Sequence, residues 1–312
     1  MRSNLIMVMD DIAQINIVKD TTFALLLEGQ RRGYRLLYVN ETDLFIERGR
    51  AGALVRPLKV RDEAGSWFEI GQAVTLEFGR DDLIMMRADP PVDPDYLHAT
   101  YLLDQAETAG ALVVNRPRAL RDFNEKLATA RFPDLMPPTL VSASHSRIKA
   151  FIGEQGKTVL KPLDGMGGRG IFLASVTDPN LNSMLETLTG GERRPAMVQA
   201  FLPEIELGDK RILMIAGKPV EYVLARIPGS GDFRGNLARG GRGEGRPLSA
   251  SDRAIAEAVG PALIENGIFL AGLDVIGDRL TEINVTSPTC VRELDAFFGL
   301  NIAGQLFDAI DP

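Results

Sequence analysis

The alternation of short apolar runs with amphipathic stretches over the first 115 residues is the feature that most constrains the fold. Leu5 to Met9 predicts a buried strand, a helix is predicted from about Asp20, and a second strand follows at Leu36 to Val39. Further strands are predicted at Leu83 to Met86 and Ala111 to Asn115, with a helix between them. Strands that alternate with helices in this way favour βαβ units and a parallel sheet.

The pattern changes after about residue 120. A helix is predicted from Asn124 to Phe132, and a strand at Thr158 to Lys161 leads into a glycine cluster. Farther on, Lys210 to Ile227 predicts a hairpin around Gly217 and Lys218, and Ile268 to Val285 predicts another. We therefore expect antiparallel pairing in this second part and place the main domain boundary near residue 120.

Composition argues against several classes of protein. The 312 residues include 42 acidic and 35 basic side chains, and the resulting net charge of −7 disfavours a general nucleic-acid or membrane-surface binder. The single cysteine, Cys290, cannot form an internal disulfide, and no signal peptide is apparent, so a reducing cytoplasm is expected. No apolar stretch approaches the roughly 20 residues that cross a bilayer.

Glycine is concentrated in two segments, and the first of them, 165–170, follows the strand that carries Lys161. Gly165, Gly167 and Gly170 have the spacing of a dinucleotide-binding loop, but Ile171 to Leu173 predicts a strand where that loop requires a helix. This disfavours an NAD-dependent dehydrogenase. Strand, glycine loop and strand instead predict a flap whose amides cover phosphates beside the Lys161 charge. A simple glycine turn with a solvated lysine is the alternative.

Three polar side chains interrupt the apolar pattern of the last hairpin. Glu282 and Asn284 are two residues apart and share a strand face, which Asp274 joins if the connecting loop has an odd number of residues. A three-residue loop would pair Ile276 with Leu280 and place Asp274 opposite Glu282. Such an all-oxygen site suits Mg²⁺ or Mn²⁺ shared with phosphates. An edge hairpin with an ordinary polar face is the alternative.

The second glycine segment, 229–245, is also rich in arginine. Arg239 to Gly243 resembles an RGG unit and so raises RNA binding, but RGG segments bind as repeated, disordered tracts. A single copy between predicted strands is better explained as a lid whose arginines close over an anionic substrate. A loop whose arginines are merely solvated is the plainer alternative.

Longer strings carry a family resemblance. They are Lys-Pro-Leu-Asp-Gly-Met-Gly-Gly (161–168), Leu-Ala-Arg-Ile-Pro (224–228), Arg-Gly-Asn-Leu-Ala (234–238) and Leu-Thr-Glu-Ile-Asn-Val-Thr-Ser-Pro-Thr (280–289). Together they resemble bacterial glutathione synthetase, a member of the ATP-grasp superfamily, over nearly the whole chain. The resemblance implies an α/β fold with an N-terminal parallel βαβ substrate domain (1–122) and an ATP-grasp domain with antiparallel sheets (123–312). The latter would divide into a lid subdomain (about 123–200) and a C-terminal subdomain (201–312).

The resemblance also implies a role for each group of site residues. ATP would be contacted by Lys126, Lys161, Gly165, Met166, Gly167, Gly168, Gln199, Ala200, Phe201, Leu202, Asp209, Arg211 and Asn236. The ligands of Mg²⁺ or Mn²⁺ would be Asp274, Glu282 and Asn284. The peptide substrate would lie near Arg87, Ser287, Pro288, Thr289 and Arg292, and charge in the reaction would be stabilised by Arg211, Arg226 and Arg234.

The implied reaction joins γ-glutamylcysteine to glycine, giving glutathione, ADP and phosphate through an acyl-phosphate intermediate. No side-chain nucleophile is required, so Cys290 is expected to be inert, and neither His98 nor His145 has metal-ligand spacing. The resemblance further implies a homotetramer, while the composition leads us to expect a cytoplasmic protein with no nucleic-acid or membrane partner. Two alternatives stay open: another ATP-grasp carboxylate–amine ligase with a different peptide substrate, and a non-catalytic ATP-binding regulator, which would lack the metal set.

Overall fold

Three β-sheets follow one another along the chain in the computed structural model, which describes residues 2–165, 167–229, 235 and 241–311. The first sheet contains β1 (Asn4–Val8), β2 (Arg35–Val39), β3 (Leu44–Glu47), β4 (Arg50–Val60), β5 (Phe68–Ile70), β6 (Val74–Glu77), β7 (Asp82–Met86) and β8 (Leu112–Val114). The helices of this part are α1 (Thr21–Arg31), α2 (Pro94–Thr108) and α3 (Pro117–Asp122).

β1 lies at the centre of the parallel part of this sheet. It pairs in parallel with β2 on one side and with β7 on the other, and β7 pairs in parallel with β8. The predicted parallel βαβ arrangement is confirmed. Helix α1 begins after Asp20, whose carboxylate accepts a hydrogen bond from the Phe23 amide and so caps the first turn.

The outer part of the first sheet differs from the sequence prediction. β4 runs antiparallel to β2 and also pairs with β3, β5 and β6. None of these outer strands was predicted. β5 and β6 are largely exposed to solvent and only three and four residues long, so the alternation of apolar and polar residues in each is too short to predict a strand.

The second sheet has four strands and a hydrophobic core of its own. Its elements are β9 (Thr139–Ser142), α4 (His145–Gln155), β10 (Thr158–Pro162), β11 (Phe172–Ala174), α5 (Leu181–Thr189) and β12 (Ala196–Ala200). All pairings are antiparallel, in the order β11-β10-β12-β9. The described buried residues of this core all lie between Ile148 and Val198.

The third sheet is also antiparallel, as predicted. Its elements are β13 (Asp209–Ile215), β14 (Lys218–Ile227), β15 (Arg242–Pro247), α6 (Ala250–Glu265), β16 (Leu270–Ile276), β17 (Arg279–Asn284), α7 (Val291–Phe298) and α8 (Ile302–Ile310). The strand order is β15-β14-β13-β16-β17. Both predicted hairpins are present, β13 with β14 and β16 with β17.

The turn between β13 and β14 lies one residue earlier than predicted. Ile215 pairs with Lys218, so the turn residues are Ala216 and Gly217, both with positive φ. A Cβ atom on Gly217 would lie 2.7 Å from Cγ1 of Ile264 and 2.9 Å from the carbonyl oxygen of Gly260. The close approach of α6 therefore requires glycine at this position.

The prediction of a helix from Asn124 to Phe132 is wrong, because only a short 3₁₀ helix forms, at Leu127–Arg131. The Asn124 side chain accepts hydrogen bonds from the amides of Lys126 and Leu127. The carbonyl group of Glu125 accepts a hydrogen bond from the Ile283 amide in β17. These local and tertiary bonds replace the first turn of the predicted helix and hold Lys126 beside the third sheet.

The first and third sheets share their hydrophobic packing. One buried cluster joins Ile6 and Leu37 with Ile212 and Leu273, and a second cluster contains buried side chains from β1, β13 and α8. These two sheets therefore form one packed unit, whereas the second sheet has a separate core. No helix among the described residues is long and apolar enough to cross a bilayer.

Asn115 connects the end of β8 to the third sheet through a buried side chain that is only 4% exposed. Its amide nitrogen donates hydrogen bonds to the carbonyl groups of Leu270 and Val285 at 2.7 Å. Its amide oxygen accepts hydrogen bonds from the backbone amides of Phe269 and Leu270. One side chain thus satisfies four backbone groups that would otherwise be buried without partners.

We predict that Asn115→Ala lowers the free energy of unfolding by about 3 kcal/mol, because it leaves those backbone groups unpaired. Urea denaturation followed by circular dichroism measures the change. The matched control is Asn182→Ala, at an exposed position of α5, which we expect to change stability by no more than about 0.5 kcal/mol. Equal stability of the two variants would contradict the connecting role of Asn115.

Candidate active site

A cleft lined by residues of the second and third sheets contains most of the site residues predicted from the sequence. Its lining includes Lys126, Lys161, Gly165, Gly167, Gly168, Gln199, Ala200, Phe201, Leu202, Asp209, Arg211, Arg226, Asp274, Glu282, Asn284, Ser287 and Thr289. Three of the predicted residues, Met166, Arg234 and Asn236, lie outside the described residues. Most of the predicted lid segment, 229–245, lies outside them as well.

The hairpin of β16 and β17 places Asp274 opposite Glu282, as predicted, but by a different route. The predicted three-residue loop is wrong, because Ile276 pairs with Arg279 rather than with Leu280 and leaves a two-residue turn. Thr281 is an extra residue on β17, and its hydroxyl group donates a hydrogen bond to the Asp274 carbonyl oxygen. This bulge shifts the register by one residue and restores the pairing of the two carboxylates.

Asp274 is the centre of a buried group of charges. Its carboxylate accepts hydrogen bonds from Nε and Nη2 of Arg211 at 2.5 and 3.1 Å, and Arg226 lies 2.9 Å away. Burial alone would raise the pKa of Asp274, but the two guanidinium groups hold it well below its usual range. The carboxylate is therefore ionised throughout the physiological range.

Gly272 provides the space that this arrangement needs. It lies two residues before Asp274 on the same face of β16, and a Cβ atom there would come within 2.7 Å of Cδ of Arg211. A side chain at this position would displace the Arg211 guanidinium group. The glycine thus leaves room for the arginine side chain beside Asp274, its direct partner on the adjacent strand.

Asp209 lies at the start of β13, beside Arg226. One carboxylate oxygen, Oδ2, accepts a hydrogen bond from Nη2 of Arg226 at 2.5 Å. The other, Oδ1, is buried and has no hydrogen-bond partner among the described residues. Burial raises the pKa of Asp209 to about 6, against the opposing effect of Arg226. The unpaired oxygen of a cleft-lining residue is an acceptor available to a ligand.

Two lysines from different elements face Glu282. Nζ of Lys126 lies 3.8 Å from the Glu282 carboxylate, and Nζ of Lys161 lies 3.7 Å from it. Lys126 also contacts Glu125 and donates a hydrogen bond to the Gly165 carbonyl at 2.7 Å. Burial lowers the pKa of Lys161, whereas Glu282 and Glu125 outweigh the effect of burial on Lys126 and raise its pKa.

The glycine loop after Lys161 connects two antiparallel strands, β10 and β11, as predicted. Gly167, Gly168 and Gly170 all have positive φ, which residues with a side chain rarely adopt. The next described element after the loop is the strand β11 rather than a helix, so the geometry differs from that of a dinucleotide-binding turn. The loop instead borders the cleft beside both lysines.

At the end of the second sheet, β12 leads into the segment from Gln199 to Leu202, which is predicted to contact ATP. The Gln199 side chain is buried and donates a hydrogen bond to the Thr139 hydroxyl group. The amides of Ala200 and Phe201 donate to the carbonyl groups of Pro138 and Lys157. These bonds fix the backbone that lines this end of the cleft.

The residues predicted near the peptide substrate do not all line the same space. Ser287 and Thr289 line the cleft, and the Pro288 carbonyl accepts a hydrogen bond from Nη2 of Arg87 at 3.1 Å. Arg87 lines a neighbouring cavity. Arg292 lines neither space in the described structure and pairs instead with Asp62 at 2.7 Å.

Sequence analysis missed Glu125 and Thr281, both of which line the cleft. Glu125 lies in a segment predicted as a helix, and a carboxylate next to a lysine in a helix does not by itself indicate a binding site. Thr281 lies in a predicted strand and is important only because it forms the bulge. Cys290 is 1% exposed, and burial raises the pKa of its thiol, in agreement with the inert role predicted for it.

Solved structures show that the fold is shared with known proteins. The ATP-grasp ligase PsnB, solved with a minimal precursor, matches 99% of this chain and 99% of its own with a TM-score of 0.63 and 19% identity. The D-cycloserine synthetase DcsG matches 99% of this chain and 100% of its own with a TM-score of 0.66 and 13% identity. The fold is that of the ATP-grasp ligases, and the predicted fold class is confirmed.

Sequence comparison identifies the family within this class. The model of the prokaryotic glutathione synthetase N-terminal domain matches residues 3–121, and that of its ATP-grasp domain matches residues 125–299. Glutathione synthetase of Xanthomonas axonopodis pv. citri (strain 306) is 58% identical over 311 residues, covering 100% of this chain and 98% of the relative. The enzyme of Vibrio parahaemolyticus serotype O3:K6 (strain RIMD 2210633) is 52% identical over 304 residues, covering 97% and 96%. The chain belongs to the prokaryotic glutathione synthetase family.

Family membership establishes the reaction class. The protein is an ATP-dependent ligase of glutathione synthesis, and its substrates are small molecules that include ATP. The predicted enzyme class and function are confirmed. The alternatives of an NAD-dependent dehydrogenase and a non-catalytic regulator are set aside.

We predict that Arg226→Met lowers the free energy of unfolding by about 3 kcal/mol, because it removes a buried partner of both Asp209 and Asp274. The matched control is Arg253→Met, which breaks an exposed pair with Glu221 and should leave the urea midpoint nearly unchanged. Chemical denaturation without ligands measures both variants. If the Arg226 variant were as stable as the control, the buried charges would not act as one unit.

Proposed function

We propose that the cleft binds ATP between the second and third sheets, with the triphosphate beside Lys126, Lys161 and the glycine loop. The observation that carries this proposal is that both lysines approach Glu282 within 4 Å from different elements. Their ammonium groups and the loop amides supply the positive charge that a polyphosphate requires. Burial lowers the pKa of Lys161 even though Glu282 lies beside it, and a bound phosphate would further stabilise the charged ammonium group.

The other end of the nucleotide is assigned to the backbone at Gln199 to Leu202 and to Asp209. The strand end offers fixed peptide groups that can read adenine by hydrogen bonds, so side-chain identity there matters little. Asp209 offers Oδ1 to a ribose hydroxyl group, which would satisfy that buried oxygen. Arg211, paired with Asp274, lies where it can reach a phosphate group.

We further propose that Asp274, Glu282 and Asn284 hold Mg²⁺ or Mn²⁺. The proposed set combines two carboxylates with the amide oxygen of Asn284; the described residues contain no group of three or more His, Cys, Asp or Glu side chains that could hold a metal. The donor set fits, because all three groups offer oxygen and each carboxylate oxygen retains a lone pair beside its cationic partners. A bound cation would neutralise charge on the transferring phosphoryl group.

The acyl-phosphate route follows from the chemistry of the substrates. The cysteinyl carboxylate of γ-glutamylcysteine attacks the γ-phosphorus of ATP, the bond to the bridging oxygen breaks, and ADP leaves. The amine of glycine then attacks the acyl carbon, loses a proton and expels phosphate. Lys126, Lys161, Arg211 and Arg226 stabilise the negative charge that develops on phosphoryl and acyl oxygens.

The peptide substrate is assigned to the side of the cleft formed by Arg87 and the turn from Ser287 to Thr289. The Arg87 guanidinium group donates a hydrogen bond to the Pro288 carbonyl, which links these two parts of the chain. Arg292 is not part of this proposal, because its guanidinium group pairs with Asp62.

We retain three further proposals for the whole protein. The domains are 1–122, about 123–200 and 201–312, a division supported by the separate core between Ile148 and Val198. The enzyme acts in the cytoplasm, which is compatible with a single, buried free cysteine. It assembles as a homotetramer, which light scattering of the purified protein would test.

Phosphate release tests the reaction directly. We expect release only when ATP, Mg²⁺, γ-glutamylcysteine and glycine are all present, because each half of the reaction needs its own substrate. Leaving out the four components in turn provides the controls. Unchanged release without glycine or without the dipeptide would exclude the proposal, and ligation of another peptide in preference to γ-glutamylcysteine would favour a different ATP-grasp ligase.

A variant of the metal site tests the ligand assignment. We expect Glu282→Gln to lower kcat by about 100-fold and to raise the Mg²⁺ concentration needed for half-maximal rate, because the amide supplies a weaker, uncharged ligand. The matched control is Asp278→Asn, which removes an exposed carboxylate from the turn of the same hairpin. Titration of the rate with Mg²⁺ compares the two, and an unchanged Mg²⁺ requirement in the Glu282 variant would contradict the assignment.

A further inference from the structure

The two lysines of the cleft differ in their contacts with the protein. Nζ of Lys126 contacts the Glu125 carboxylate, donates a hydrogen bond to the Gly165 carbonyl at 2.7 Å and lies 3.8 Å from the Glu282 carboxylate. An ammonium group has three donors, and here three protein acceptors surround it. Among the described residues, Nζ of Lys161 has no hydrogen bond, and its ion pair is with Glu282 at 3.7 Å. A phosphate group can therefore reach Lys161 directly, whereas it has to displace an acceptor from Lys126.

Glu125 is the acceptor around Lys126 that an incoming phosphate opposes most strongly. Its carboxylate lines the cleft. Burial raises the pKa of Glu125, as do the nearby carboxylates of Glu282 and Asp274, and Lys126 opposes these effects. A phosphate group beside Lys126 would add another negative charge at close range, and like charges repel. The Gly165 carbonyl is uncharged, and the charge of Glu282 is assigned to the cation.

The Glu125 side chain can turn without disturbing the segment that carries it. The backbone is held separately, because the Glu125 carbonyl accepts a hydrogen bond from the Ile283 amide. The carboxylate has Lys126 as its one hydrogen-bond partner within the described part of the chain. The side chain is 22% exposed, so the carboxylate has access to water in the cleft. Rotation of the side chain therefore breaks one contact and leaves the backbone bond intact.

We propose that Glu125 sets the affinity for the nucleotide by competing with the phosphate chain for Lys126. The carboxylate occupies Lys126 in the empty cleft, and the phosphate chain displaces it. ATP and ADP then bind less tightly than they would without this carboxylate, because Lys126 is free in only a fraction of the molecules. The same competition speeds the release of ADP after each turnover. The inference rests on the nucleotide site proposed above and adds a residue that acts through Lys126.

Isothermal titration calorimetry of the whole protein with ATP and ADP provides the test. Glu125→Gln keeps the size of the side chain and the backbone bond but removes the charge. We expect it to lower the Kd for ATP by about 10-fold, because the variant binds Lys126 less tightly in the empty cleft. The effect should be the same with EDTA and with excess Mg²⁺, since the competition does not involve the cation. Adenosine, which lacks phosphates, should bind both proteins equally.

A second variant, Glu125→Met, removes the acceptor together with the charge. It should lower the Kd for ATP at least as far as Glu125→Gln does, because the glutamine amide oxygen can still accept a hydrogen bond from Lys126. An unchanged Kd in both variants would overturn the inference.

A double variant shows whether the effect passes through Lys126. Lys126→Met should weaken ATP binding, and adding Glu125→Gln to it should change the Kd by less than about 2-fold, because the contested cation is gone. If Lys126→Met left ATP binding unchanged, the proposed nucleotide site would be wrong. If Lys126→Met weakened binding but Glu125→Gln did not strengthen it, only the inference about Glu125 would be overturned.

Glu206→Gln is the matched control for the change in net charge. Glu206 is exposed and lies in the short 3₁₀ helix Pro203–Leu207, whose Ile205 lines the cleft. In about 0.15 M salt the control should change the Kd for ATP by less than about 2-fold, because exposed charges are screened. Weaker ATP binding by Glu125→Gln in both EDTA and Mg²⁺ would overturn the inference and make Glu125 a residue that positions Lys126. Weaker binding in Mg²⁺ alone would overturn it in favour of a metal ligand.

Discussion

The paired charges around Asp274 are the interaction on which the rest of the cleft depends. Arg211 and Arg226 reach Asp274 from the neighbouring strands β13 and β14, and Arg226 also holds Asp209. A buried carboxylate of this kind is acceptable only because two guanidinium groups surround it. The same pairing brings the proposed metal-binding hairpin against the strands that carry the proposed ribose and phosphate contacts. One set of ion pairs thus fixes the relative positions of the residues proposed to bind the metal, the ribose and the phosphates.

How much of this could be predicted depended on whether the determining contacts were local. The parallel strands around β1 and the hairpins of the third sheet have clear apolar patterns, and they were predicted well. The opposition of Asp274 and Glu282 was also predicted, yet from an incorrect loop length, because a bulge at Thr281 compensates for the shorter turn. A bulge set by one side-chain hydrogen bond gives no periodic signal in a sequence.

The failures share a tertiary cause. Residues 124–126 were predicted as helix, but the Glu125 carbonyl pairs with Ile283, a residue far along the chain. The strands β5 and β6 are largely exposed to solvent and form by pairing with β4, so neither has a buried face that the sequence could reveal. In the same way, the sequence can suggest that Arg87 lies near a substrate, but only the fold shows that it is buried near Asp20 with no ion-pair partner among the described residues.

The separate core of the second sheet has a consequence for nucleotide exchange. Because its described buried side chains pack among themselves, a rotation of this layer relative to the other two would leave that core intact. The contacts that resist such a movement are polar ones at the cleft, such as the hydrogen bond from Lys126 to the Gly165 carbonyl. Opening of the cleft would therefore replace these polar contacts with contacts to water. A bound polyphosphate would contact both sides of the cleft and so stabilise the closed arrangement.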